Sequence, residues 1–183
     1  LAFDGQDRLW ATTGGGPLLQ LDPDTGAILG EYGDGITMAL AIEPQTGLIY
    51  VAAGAVWSGG VNGVGGGVEI FDPATKQFRH FSRDLNLRVA SLAFAPDGSL
   101  WATTWPDRKQ VVRFTAQRRA ETMLSFDADV DSLAFGQSGT DLEGLLFVSH
   151  NRGANTHPGT ELTVVDVATL RRVAIADGGT RGD

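Results

Sequence analysis

One phrase, an apolar run, a tight turn and a second apolar run that fades into threonines, occurs four times in 183 residues and constrains this chain more than any other feature. Its fullest copy is Leu92-Ala93-Phe94-Ala95-Pro96-Asp97-Gly98-Ser99-Leu100-Trp101-Ala102-Thr103-Thr104. The others open at Leu1, Leu40 and Leu133, giving steps of 39, 52 and 41 residues. Pro presets φ, Asp can bond the backbone two residues on, and Gly accepts a positive φ, so the phrase predicts a β-hairpin.

A second phrase follows each copy. Leu18 to Leu29 carries Asp22-Pro23-Asp24-Thr25-Gly26, and Val68 to Phe78 carries Asp72-Pro73-Ala74-Thr75. Looser copies run from Val111 to Leu124 and from Leu162 to Ile175. Each predicts another hairpin, with Asp22, Asp72 and, in the first phrase, Asp97 serving the turns rather than any chemistry. Residues 115–124 are rich in helix formers, but register with the other copies assigns them a turn and a strand. Two hairpins per unit give strands A to D in units of about 1–39, 40–91, 92–132 and 133–183. A period near forty with four short strands is the mark of a β-propeller blade. The fold class expected is therefore all-β, with four blades of four antiparallel strands. They form one segment, 1–183, of a larger ring, or an open arc completed by other blades. The chain opens inside a repeat and closes at Arg181-Gly182-Asp183, where a link to a fifth blade would lie, so a piece of a longer protein is expected.

The quoted residues resemble the YVTN and NHL-like bacterial propellers, and most closely the virginiamycin B lyase-like (streptogramin lyase) repeats. Those blades run hydrophobic-Ala-Phe-x-Pro-Asp-Gly-x-Leu-Trp-hydrophobic-Thr and then Asp-Pro-x-Thr-Gly. Ile49-Tyr50-Val51-Ala52 and Phe147-Val148-Ser149-His150-Asn151 look like the YVTN signature itself. The resemblance covers nearly the whole chain and implies a secreted or cell-surface bacterial propeller. It does not carry the lyase activity over. The lyases are known for a metal-assisted His-Glu-His set on inner strands, whereas Gly35-Ile36-Thr37, Arg88-Val89-Ala90-Ser91 and Val130-Asp131-Ser132 stand before the A strands here without a histidine. Gluconolactonase-like propellers, similar in blade design, hold a divalent metal at the axis with carboxylate and Asn ligands that no residue here matches one by one.

Connectivity sorts the loops. A–B and C–D turns share one rim and are stereotyped; B–C loops and D-to-A links share the other and vary, which is where binding residues concentrate. The long B–C loops are Gly54–Gly67 and His150–Thr160. The first is glycine-rich but lacks the Lys-Ser/Thr and following helix of a phosphate cradle. Candidate ligand-binding residues on this rim are Trp57, Trp105, Arg88, Asp131, His150, Asn151 and Arg152. His150 and His157 together with an amide are a further metal possibility, while His80 is expected on the solvated outer edge. Asp34, Asp129 and Asp131 precede A strands near the axis. Carboxylates crowded there repel one another, so they either recruit a divalent cation such as Ca²⁺ or pair with Arg88.

A net charge of −8 speaks against contact with nucleic acid or an anionic membrane, and no apolar run approaches the roughly 18 residues of a membrane span. With no cysteine, thiol catalysis and disulfides are excluded. The reading expected from these residues is a non-catalytic module that recognises a protein, peptide or glycan ligand through its B–C loop rim. Two alternatives stand beside it. One is a metal-dependent lyase or hydrolase at the axial channel. The other is a structural or self-associating unit whose exposed blade faces take up further blades.

Overall fold

The computed structural model describes residues 1–33, 35, 37–53, 66–105, 108–151 and 159–180. Among them there is no helix. The first sheet is β1 (Ala2–Phe3), β2 (Leu9–Ala11), β3 (Leu18–Leu21) and β4 (Ile28–Tyr32); the second is β5 (Thr37–Ile42), β6 (Ile49–Ala53), β7 (Gly67–Asp72) and β8 (Gln77–His80). The third is β9 (Val89–Phe94), β10 (Leu100–Thr104), β11 (Gln110–Phe114) and β12 (Ala120–Ser125); the fourth is β13 (Val130–Phe135), β14 (Leu145–Asn151), β15 (Gly159–Asp166) and β16 (Arg171–Thr180). Every sheet is a four-stranded antiparallel meander in chain order. Residues 115–124, for all their helix formers, make a turn and most of β12, because cross-strand pairing with β11 outweighs local propensity.

The innermost strands pack side by side, β1 on β5, β5 on β9 and β9 on β13. The four sheets thus fan out from a common centre, and three apolar layers fill the gaps. Trp10, Leu18, Ile49 and Phe71 lie between the first two sheets. Tyr50, Ile70, Leu92 and Val112 fill the second gap, and Trp101, Val111, Leu133 and Leu146 the third. Because both faces of the inner blades are covered, β6, β7 and β10 are buried almost throughout, so they carry long apolar runs rather than clean alternation.

Strand A starts three residues ahead of the repeated phrase, at Thr37, Val89 and Val130, and in each case one extra residue bulges out of the ladder. Thr37 and Ala39 pair with Ala53 and Ala52, leaving Met38 over; Ala90 and Asp131 occupy the same place in the next two blades. The threonines that end strand B explain themselves here. Thr12 Oγ1 donates to the Met38 carbonyl at 3.5 Å and Thr103 Oγ1 to the Asp131 carbonyl at 3.3 Å, so each ties its blade to the bulge of the next.

The turn aspartates do what the sequence requires of them. Asp22 Oδ1 accepts from the Thr25 amide and hydroxyl and from the Asp24 amide, all within 3.0 Å. Asp72, Asp97 and Asp166 repeat the arrangement with Ala74, Ser99 and Thr169. These donors favour the ionised form, so all four carboxyls are held below the ordinary aspartate range, Asp97 by the Ser99 hydroxyl above all and Asp166 by that of Thr169.

Candidate functional site

The residues singled out on the B–C rim are brought together in pairs by the ladder. Thr104 faces Val89, and the Trp105 amide then donates to the Arg88 carbonyl at 3.2 Å, so Trp105 and Arg88 are cross-strand neighbours at the end of the third blade. The fourth blade repeats the arrangement. His150 faces Val130, and the Asn151 amide donates to the Asp129 carbonyl at 2.9 Å. Between the pairs, the bulge carries Asp131, fastened to the third blade through Thr103. Arg88, Trp105 and Asp131 are each half-buried, which leaves part of each side chain facing solvent along the junction of the two blades. Trp57, Arg152, Asp34 and His157 lie outside the described residues.

His150 holds the rim together rather than offering a lone pair. Its Nδ1 lies 3.0 Å from the Asn151 carbonyl, which can only accept, so that nitrogen donates; Nε2 shares a hydrogen bond with the Thr163 hydroxyl at 2.8 Å. The ring packs against Phe126 in a tilted contact with centroids 4.7 Å apart, and the Arg172 guanidinium lies 4.8 Å from the centre of the same phenyl ring. His80 stands on β8, the outer strand of its blade, with its side chain 37% exposed, as the sequence leads one to expect, and one ring nitrogen turned inward. Nδ1 sits 3.5 Å from Oε1 of Glu69, a fully buried carboxylate, because Glu69 and His80 are direct partners in the β7–β8 register and so share a face.

On the opposite rim, clefts open where the turns of neighbouring blades diverge, one of about 580 Å³ and lined by Phe3, Asp4, Arg8, Glu43, Pro44 and Asp72 among others. Its carboxylates are committed. Asp4 accepts from the Gln6 and Arg8 amides, from Arg8 Nε and from Trp10 Nε1; Asp72 is tied up in its own turn, and Glu43 accepts from the Thr46 hydroxyl. Burial works to raise the Asp4 pKa, but the Trp10 indole, the two amides and Arg8 outweigh it and hold the carboxyl below its usual range.

No group of three His, Cys, Asp or Glu side chains among the described residues is placed to hold a metal. What sequence reasoning did not find is Thr160. It stands opposite Asn151 on β15, and its hydroxyl, like Oδ1 of Asp129 and Oδ1 of Asn151, is buried without a hydrogen-bond partner. An isolated threonine gives no signal of this; only the strand register does.

No protein-family model and no curated protein sequence matches the chain. Solved structures do. Hydrazine synthase of Kuenenia stuttgartiensis is similar over 94% of this chain and 46% of its own, with TM-score 0.69 and 15% identity. The β-propeller domain of Cps50 (Swd1) from Myceliophteria thermophila is similar over 98% of this chain and 55% of its own, with TM-score 0.62 and 14% identity. A chain of a nidogen/laminin complex is similar over 94% of this chain and 63% of its own, with TM-score 0.66 and 10% identity. The four sheets are blades of a β-propeller. At these identities the likeness is one of fold, and this chain spans less than two thirds of each of the three.

Proposed function

We propose that this propeller segment is a recognition module, non-catalytic, that binds a protein, peptide or glycan ligand through its B–C rim as part of an exported or surface protein. The observation that carries the reading is the convergence at the junction of the third and fourth blades. Arg88 beside Trp105 supplies a cation and an aromatic face, Asp131 an anion, and all three are half-buried on elements fixed by the ladder. Aromatic and Arg side chains on a rigid frame are what a binding hot spot uses. One of the similar structures is a nidogen/laminin complex, a complex between proteins, and that supports the protein arm of the proposal.

The test uses displayed random dodecapeptides and a glycan array as probes. Binders enriched on the chain should be lost with Arg88→Glu and Trp105→Ala and retained with Asp24→Lys and Gln45→Glu on the turn rim. Loss with the turn-rim pair and retention with the other would overturn it.

A specific observation also favours a second reading, completion by further blades. On the outward side of the first blade, Phe3, Leu9, Leu21 and Ile28 form one cross-strand row, and Phe3 and Ile28 are 59% and 55% exposed. On the fourth blade Ala134, Phe147, Val164 and Ala174 form another, on the face away from Leu146 and Val148. Apolar faces of this kind are what the inner blades bury against each other.

A further inference from the structure

Asp129, the residue before β13, Asn151 on β14 and Thr160 on β15 lie at one level of the fourth blade. Asn151 pairs with Thr160 in the β14–β15 register and is hydrogen-bonded to Asp129 across β13. Directly opposed residues on neighbouring antiparallel strands project to the same face, so the three side chains form a row. Asp129 is 5% exposed and Asn151 3% exposed. Oδ1 of Asp129, Oδ1 of Asn151 and Oγ1 of Thr160 are all shut away from solvent with no hydrogen-bond partner.

Two of these atoms can only accept, and one belongs to a carboxylate. A buried, unsatisfied acceptor set is costly, and burial of an unpaired carboxylate more so. The next level along the same strands shows how differently polar groups are treated when partners exist. There His150 has both ring nitrogens engaged, by the Asn151 carbonyl and by Thr163.

We infer that this row is a cation site, and that the cation is Ca²⁺. The donors are all oxygen, which excludes the soft ligands that zinc and copper prefer. Neighbouring strands hold Cβ atoms about 4.5–5.5 Å apart, a spacing that lets the oxygens of Asp129 and Asn151 contact one ion at the 2.3–2.6 Å of Ca²⁺ coordination, while Thr160, two strands from Asp129, joins the shell through water. Mg²⁺ asks for a tighter octahedron at about 2.0–2.1 Å and gives up water reluctantly, which a fixed sheet row does not accommodate. With one carboxylate in three donors and water completing the shell, the site belongs at the weak end, with a dissociation constant of about 10⁻⁴–10⁻³ M. The ion deepens the recognition reading, since it would order the rim that reading uses. It also stands without it, because metal binding is read out with no partner present.

The chain is stripped with chelator and titrated with CaCl₂ by calorimetry, and its melting is followed in Ca²⁺, Mg²⁺ and chelator. Saturable binding of one Ca²⁺ in the stated range, a melting temperature raised by Ca²⁺ and unmoved by equal Mg²⁺, and at least tenfold weaker binding in Asp129→Asn are expected. Thr160→Val, which keeps the shape and removes one oxygen, should weaken binding several-fold. In chelator, Asp129→Asn should melt no lower than the unaltered chain, since it removes an uncompensated charge; this order reverses in Ca²⁺. Absence of a Ca²⁺ effect up to 10 mM, or an effect that survives Asp129→Asn unchanged, overturns the site. If peptide or glycan binding persists while Ca²⁺ binding fails, only the cation inference falls.

Discussion

Asp4 closes the A–B turn of the first blade, and Asp4→Ala is expected to be the most damaging change among the turn aspartates. Its carboxylate accepts four hydrogen bonds between 2.7 and 3.1 Å, from the Gln6 and Arg8 amides, Arg8 Nε and Trp10 Nε1. Three of these donors face a solvated turn and can bond water after the substitution. Trp10 cannot, because its side chain is 1% exposed in the layer between the first two blades. Stranding that indole N–H costs about 1–3 kcal/mol, and loss of the charged acceptor at the turn adds about 1 kcal/mol. We therefore expect a loss of about 3 kcal/mol, or about 6–12 °C in melting temperature for a chain of this length.

The assay is urea denaturation of the unaltered chain, Asp4→Ala, Trp10→Phe and the double variant. The cycle should show about 1.5 kcal/mol of coupling between Asp4 and Trp10. The effect also has a pH signature. A carboxyl held below its unfolded value stabilises fully above that value, near 3.9, and the contribution disappears as pH falls through the lower folded value. The gap between the unaltered chain and Asp4→Ala should therefore be constant from pH 5 to 7 and close below pH 4. Additivity within 0.5 kcal/mol, or a gap that widens in acid, would refute the reasoning.

The same sign applies to Asp22, Asp72, Asp97 and Asp166, all held low by turn donors, so each should lose part of its small, solvent-screened contribution below pH 4 in melting scans. Gly136→Ala should destabilise by at least about 2 kcal/mol in the same scans, because a Cβ there would run into the Leu142 carbonyl, which is backbone and cannot swing aside. Phe147→Lys with Val164→Lys, placed on the outward row of the fourth blade, should reduce concentration-dependent association in sedimentation without lowering the melting temperature.

The repeats made the blades legible because each hairpin depends on local turn chemistry, and Asp97-Gly98-Ser99 or Asp72-Pro73 states that chemistry in two or three residues. The true start of strand A was hidden for a related reason. Met38, Ala90 and Asp131 bulge, and one extra residue breaks the period of two on which sequence reading relies. On the rim, Arg88, Trp105, Asp129 and Asn151 were each visible as separate polar or aromatic residues at loop ends. Their pairing was not, since Asn151 meets Asp129 and Thr160 only through the registers of β13, β14 and β15. Glu69 shows the same limit from the other side: a charged residue in a strand reads as solvent-facing until a neighbouring blade is seen to cover it.

Amide hydrogen exchange with and without a bound peptide or glycan tests the central claim, that the variable rim is the working surface, most directly. The account predicts new protection confined to residues around 88, 105, 129–131, 150–151 and 160. Protection appearing instead at the turns 22–26, 43–47, 72–76 and 97–99 would contradict it.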